Sequence, residues 1–158
     1  MNESVFNAYS KYYDLLYLDK DYVGEAKYVE KQLINNGIDK GDILEFGSGT
    51  GKHGRLLAEK GYNVHGIELS QEMIDLADTN ERFTCQQGDI CNTKLDKKFD
   101  SVISLFHVMS YQVSNKNLES VFLNASHHLD PGGIFLFDFW YTPAVYNFNP
   151  SVRVKRMK

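Results

Sequence analysis

The feature that most restricts this 158-residue chain is the segment Glu45-Phe46-Gly47-Ser48-Gly49-Thr50-Gly51, set between an apolar run and a helical pattern. Asp42 to Gly47 reads as a short strand, and Lys52 to Lys60, closed by Gly61, reads as a helix. Three glycines in five residues at such a junction let the backbone take positive φ and let a ligand approach the main chain closely. The helix that follows offers unpaired amide N–H groups and the positive end of its dipole. A strand, glycine turn and helix in this order form a cradle for a nucleoside cofactor at the carboxyl ends of a parallel sheet. A glycine-rich turn that binds nothing is the plainer alternative.

Spacing narrows the choice of cofactor. The dinucleotide fingerprint needs G-x-G-x-x-G, and counted from Gly47 its third glycine falls on Lys52. A phosphate-binding P-loop needs G-x-x-x-x-G-K-[ST]. Gly51-Lys52 fits its end, but Phe46 stands at its first glycine and His53 at its hydroxyl residue. Near the end of a second strand, Asn63 to Leu69, stands Glu68, about twenty residues beyond the loop, where an acid accepts from both ribose hydroxyls. The alternative is an exposed strand-end charge. Gln87-Gly88-Asp89-Ile90 follows a third strand, Arg82 to Gln87. It offers a carboxylate to an adenine amino group and an apolar side chain to the ring.

The remaining pattern alternates helix and strand. Val23, Ala26, Val29, Leu33 and Ile34 lie at helical spacing within residues 22–36, with Asp21 as a cap and Gly37 as a terminator. Ser70 caps a helix predicted through Ala77. Phe99 to Phe106 is a nearly continuous apolar run, as expected of a central parallel strand buried on both faces. A helix over Asn117–Leu129, a turn at Asp130-Pro131-Gly132-Gly133 and a fifth strand over Ile134–Phe139 complete the series. The alternation predicts an α/β fold with right-handed crossovers and a mainly parallel sheet. The chain divides into an N-terminal helical segment, residues 1–40, and a nucleoside-binding core, residues 41–158.

Charge bears on the substrate. The net charge is −4, and basic residues cluster only at Arg153, Lys155, Arg156 and Lys158. A small-molecule substrate is therefore favoured over nucleic acid, whose binders carry basic surfaces. No run approaches the roughly 18 apolar residues of a membrane span, and the N-terminus lacks a signal peptide's apolar region. A cytoplasmic location without membrane contact is the expectation. Cys85 and Cys91 have no Cys or His partners at zinc-like spacing, so reduced thiols and no metal site are expected.

These segments together resemble class I, Rossmann-like S-adenosylmethionine (SAM)-dependent methyltransferases. Glu45–Gly51 looks like their motif I, Glu68-Leu69-Ser70 like their ribose-binding acidic loop, and Gly88-Asp89-Ile90 like their adenine segment. Phe99–Ser104 resembles their motif IV strand, and Leu129–Gly133 resembles the turn before their fifth strand. A narrower similarity is to nucleotide-linked amino-sugar N,N-dimethyltransferases. It rests on Tyr13-Asp14-Leu15-Leu16-Tyr17 with Lys20-Asp21-Tyr22, and on Phe137-Asp138-Phe139-Trp140-Tyr141.

The resemblance implies a doubly wound sheet ordered 3-2-1-4-5, SAM as cofactor, and S-adenosylhomocysteine as product. It also implies SN2 attack on the SAM methyl by a nitrogen or oxygen of a small-molecule acceptor. Gly47, Ser48, Gly49 and Gly51 would line the methionine part, with Glu45 nearby. Glu68 and Leu69 would serve the ribose, Asp89 and Ile90 the adenine. Leu105 and Phe106, ending the fourth strand, would flank the sulfonium or the adenosine, and Tyr9, Tyr13 and Tyr17 would close over the cofactor as a lid. His107 is a candidate base or a helix-start histidine. Tyr17 orients an acceptor amine or packs, and Asp138 meets a substrate cation or serves structure. Complete members of the family have seven strands, and Val152-Arg153-Val154-Lys155 begins at most a sixth. The expectation is a C-terminally truncated core, or a sheet completed by a partner, with a homodimer as one form. Two other readings stay open: a non-catalytic SAM-binding module, and a NAD-linked oxidoreductase, against which the G-x-G-x-G spacing speaks.

Overall fold

The computed structural model describes residues 17–147. Five strands form one sheet: β1 Asp42–Phe46, β2 Asn63–Glu68, β3 Phe83–Gln87, β4 Phe99–Ser104 and β5 Leu129–Phe137. Their order is β3-β2-β1-β4-β5, and every neighbouring pair is parallel. The Rossmann-like order implied by the motifs is therefore present. The order in which strands are added reverses between β1 and β4, which places a crevice at the carboxyl ends of these two strands.

The helices are α1 Tyr22–Asn35, α2 Lys52–Glu59, α3 Gln71–Asp75, α4 Asn115–His128 and α5 Thr142–Asn147, with a 3-10 turn at Val108–Tyr111. Local chemistry sets their ends. The Asp21 carboxylate accepts from the Gly24 N–H at 2.8 Å and starts α1. Gly37, at φ +82°, ends it, and the Ile38 N–H returns to the Leu33 carbonyl. Ser70 and Ser114 cap α3 and α4 through their hydroxyls.

Strand alternation divides the core into two layers. Ile43 of β1, Val64 of β2 and Ile103 of β4 face α1 and α2, joining Val29, Leu33 and Leu57. Leu44, Phe46 and Val102 face the other way and meet Val121 and Ala125 of α4. Residues 22–35 thus pack into the same core as the strands, through Ala26, Val29 and Leu33. Glu45 falls on the first face, where alternation calls for an apolar residue, and it is 2% exposed.

Several boundaries differ from the sequence reading. β4 ends at Ser104, so Leu105 and Phe106 lie beyond it. α3 stops at Asp75, short of Ala77, and α4 starts at Asn115 because Ser114 is its cap. Asp130–Gly133 is no turn ahead of β5 but a bulge inside it. Phe99 pairs with Leu129 and Ser101 with Ile134, leaving four residues opposite Asp100. Gly132 at φ +89° bends the strand there, and a Cβ on Gly133 would lie 2.8 Å from the Asp100 carbonyl. Tyr9, Tyr13 and the strand expected at Val152–Lys155 lie outside the described residues. Among the described residues, no helix is long and apolar enough to cross a membrane, and no group of His, Cys, Asp or Glu could hold a metal ion.

Candidate functional site

The glycine loop leaves β1 at Phe46 and enters α2 at Lys52. Gly47, Gly49 and Gly51 all have positive φ, at +72°, +56° and +77°. Two of them are also fixed by packing. A Cβ on Gly47 would stand 2.6 Å from Val108, and one on Gly51 would stand 2.3 Å from the Phe83 ring. Gly49 differs, because nothing lies within 4 Å of where its Cβ would be. It is the bare side of the cradle. The loop is tied down by the Gly47 and Ser48 N–H groups, which both donate to the Ile67 carbonyl of β2. The buried Ser48 hydroxyl turns under the loop toward Gly66 and has no hydrogen-bond partner. Its side chain therefore faces the sheet and not the open side.

Glu68, at the end of β2, joins the loop to the next turn. One carboxylate oxygen accepts from the Gly49 N–H at 2.9 Å and the other from the Ser70 N–H at 3.0 Å. A carboxylate accepts about four hydrogen bonds, so two sites remain at the cradle's edge. Leu69 beside it is 66% exposed. Asp89, after β3, accepts from the Cys91 N–H at 2.8 Å and holds its own turn. Ile90 is buried with Leu44, Phe46 and Ile67, and so builds the floor of that corner.

Beneath the loop lies Glu45. Burial, reinforced by the charge of Glu68, pushes its carboxyl up to about 8, against the pull of a Gly54 backbone hydrogen bond. Its Oε2 is buried with no hydrogen-bond partner. The tight fit of α2 explains the glycine in its first turn: a Cβ on Gly54 would lie 2.5 Å from that oxygen.

On the far side of the crevice the chain leaves β4 through two consecutive non-glycine residues at positive φ, Phe106 at +62° and His107 at +65°. Asp138, just past β5, holds them there. Its two oxygens accept from the Phe106 N–H at 3.0 Å and the His107 N–H at 2.6 Å. Of the two roles open to Asp138, the structure displays the structural one. The Tyr17 ring meets Phe106 edge-on at 4.8 Å. His107 is 37% exposed at its side chain; its Nδ1 has no hydrogen-bond partner and lies 3.9 Å from Asp138. The ring of Trp140 is 5.7 Å from that of His107. Phe139, Trp140 and Tyr141 are exposed, and a cavity of 470 Å³ between α4, β5 and α5 shares the Trp140 wall.

A polar cluster that the sequence reading left aside sits at the start of α2. The buried His53 Nε2 lies 2.7 Å from Glu25 of α1, and the same carboxylate oxygen takes Lys20. Burial opposes ionisation of Glu25, but hydrogen bonds from Lys20 and His53 and their charges hold its carboxyl below the usual range. Burial also pushes the His53 imidazole down, only partly offset by Glu25. No periodicity marks this cluster, because its members come from a loop and two helices. Their partners are set by the packing of α1 on α2.

The chain therefore gathers the glycine loop, Glu68, Asp89, Leu105–His107 and Tyr17 along one edge of the sheet, the carboxyl edge. Comparison with known proteins gives the family. Residues 43–133 match the family model described as a methyltransferase domain. A curated relative, the dTDP-3-amino-3,4,6-trideoxy-alpha-D-glucopyranose N,N-dimethyltransferase of Streptomyces venezuelae, is 30% identical over 139 residues, covering 85% of this chain and 58% of that protein. The crystal structure of Streptomyces venezuelae DesVI superposes with a TM-score of 0.77 at 29% identity, over 84% of this chain and 58% of that one. SAM-bound CalS10, an amino pentose methyltransferase from Micromonospora echinaspora, gives a TM-score of 0.72 at 28% identity, over 77% and 52%. The chain thus spans little more than half the length of these proteins.

Proposed function

The chain belongs to the methyltransferase domain family, and on that premise we propose that it methylates a nitrogen or oxygen of a small-molecule acceptor with SAM, releasing S-adenosylhomocysteine. The observation that carries this reading is the junction of Gly49 and Glu68. An open, side-chain-free loop is fixed by an acid whose remaining lone pairs suit a ribose diol. The residues present fit a nucleoside bearing an amino-acid arm. Gly47 and Gly51 would shape the loop along the arm, and Gly49 would leave it room. Glu68 would accept from the ribose with Leu69 beside it, Asp89 would face the adenine amino group, and Ile90 would support the ring. Ser48 would contribute through the backbone conformation of the loop and Glu45 from beneath it.

When bound, SAM supplies a methyl group already activated on a sulfonium, displaced in one SN2 step. What remains for the protein is positioning, exclusion of water and a place for the acceptor's proton. Leu105 and Phe106 would wall the crevice, and Tyr17 would cover Phe106 and orient the acceptor. His107 would take the proton on its Nε2, since its Nδ1 is buried beside the Asp138 carboxylate. The exposed rings of Phe139, Trp140 and Tyr141 provide a platform for the flat face of a sugar. With the amino-sugar dimethyltransferases among its relatives, a nucleotide-linked amino sugar is the acceptor class this site suits best.

A thermal-shift titration with S-adenosylhomocysteine, run beside NAD and ATP, tests the cofactor. A ligand at a hundred times its Kd stabilises by about 2.7 kcal/mol. A shift with S-adenosylhomocysteine alone is expected. A shift with NAD in its place refutes the reading.

A further inference from the structure

We propose that Lys20 is the docking cation for the carboxylate at the amino-acid end of the cofactor, held in place by the Glu25–His53 pair. The inference rests on the cofactor reading above and adds to it the residue that recognises that end.

The Lys20 side chain is only 12% exposed, unusual for a lysine in a loop ahead of a helix. Its ammonium lies 4.5 Å from the centroid of the Phe106 ring and 4.5 Å from that of Tyr22. It therefore sits over the turn that leaves β4, at the sheet edge from which the glycine loop also leaves β1. An ammonium has three N–H bonds to give. The counter-ion described for it is one oxygen of Glu25, and that oxygen is shared with His53. A partly desolvated cation that shares one carboxylate oxygen keeps N–H bonds to give beside Phe106. Among the described residues, His53 on α2, pushed toward its neutral form by burial, and Asp138 beyond β5, which is occupied by two backbone N–H groups, also act on this corner.

An α-amino acid arm brings a carboxylate and an ammonium a few ångströms apart. Lys20 and Glu25 present the opposite pair, side by side. His53 contributes by orienting Glu25, which keeps Lys20 from swinging into solvent. The buried histidine just inside α2 is thereby explained as a positioning residue.

The test compares two ligands on the full chain by isothermal titration. S-adenosylhomocysteine carries the amino-acid arm, whereas 5′-methylthioadenosine keeps the nucleoside and thioether and lacks it. Lys20→Met is expected to weaken S-adenosylhomocysteine by at least about tenfold, the loss typical of a charge-assisted hydrogen bond, and to leave methylthioadenosine within about twofold. Lys20→Arg, which keeps the charge, should retain most of the affinity and serves if the methionine variant does not fold. Unchanged binding of S-adenosylhomocysteine by Lys20→Met overturns the proposal, and so does an equal loss for both ligands. Wild-type protein that binds methylthioadenosine as tightly as S-adenosylhomocysteine overturns it while leaving the cofactor reading intact. Wild-type protein that binds neither ligand overturns both.

Discussion

Replacing Glu45 by Gln should remove a defined part of the pH dependence of stability. The carboxyl is buried against α2 with one oxygen unpartnered, and its folded-state value stands at about 8 against an ordinary 4.5. The folded chain thus holds this proton more tightly than the unfolded chain. Stability that is fully present below pH 4.5 is lost as the pH rises toward 8, because the unfolded state ionises first. Each pH unit inside that window is worth about 1.4 kcal/mol, so wild-type protein should lose about 2.5 kcal/mol from this group between pH 5 and pH 7. Gln has nearly the same shape as the protonated acid and does not titrate. Urea unfolding of both proteins at pH 5, 6, 7 and 8, at constant ionic strength, isolates the effect. His53 and His128 titrate alike in the two proteins and cancel. Relative to wild type, Glu45→Gln should become more stable by about 2.5 kcal/mol between pH 5 and pH 7, and the gain should level off above pH 8. Parallel stability–pH curves would refute the reasoning, since Glu45 would then be ionised in the fold as it is in water.

Three further outcomes follow from the site. Glu68→Ala should cost about 1–3 kcal/mol of S-adenosylhomocysteine affinity by calorimetry, and unchanged affinity would remove Glu68 from the ribose. His107→Ala should lower turnover by roughly a hundredfold while leaving S-adenosylhomocysteine binding within twofold; full turnover would show that the proton goes elsewhere. Asp138→Ala removes two hydrogen bonds to a carboxylate and leaves Phe106 and His107 to bear their positive φ unaided, for a loss of about 3 kcal/mol in urea unfolding. Adding Phe106→Gly to that variant should recover part of the loss. If Asp138→Ala unfolds like wild type, the carboxylate is not what holds this turn.

Much of the fold was legible because its determinants are local. The caps Asp21 and Ser70 and the terminator Gly37 act within a few residues of themselves, and the apolar runs at β1 and β4 report burial on both faces. The glycine loop was legible for the same reason, since three positive-φ positions in five residues have few uses. The bulge in β5 was not. Asp130-Pro131-Gly132-Gly133 has the composition of a turn, and only its pairing with Asp100 across the sheet shows that the strand has already begun at Leu129.

The orientation of side chains in the site depended on contacts that no short window contains. Ser48 belongs to the loop by sequence, yet its hydroxyl is turned toward Gly66, eighteen positions away. Phe106 continues an apolar strand pattern, and extended backbone would continue through it. Asp138, more than thirty residues later, takes the N–H groups of Phe106 and His107 and holds the chain in the left-handed region instead. That conformation costs about 1–3 kcal/mol per residue, and bonds to an ionised acceptor offset it. The consequence is chemical as well as structural. The same carboxylate that bends the strand end stands 3.9 Å from the Nδ1 of His107, so one residue both ends β4 and sets the charge beside the candidate base. A strand that ran on to Phe106, as its sequence suggests, would carry His107 out of reach of that charge.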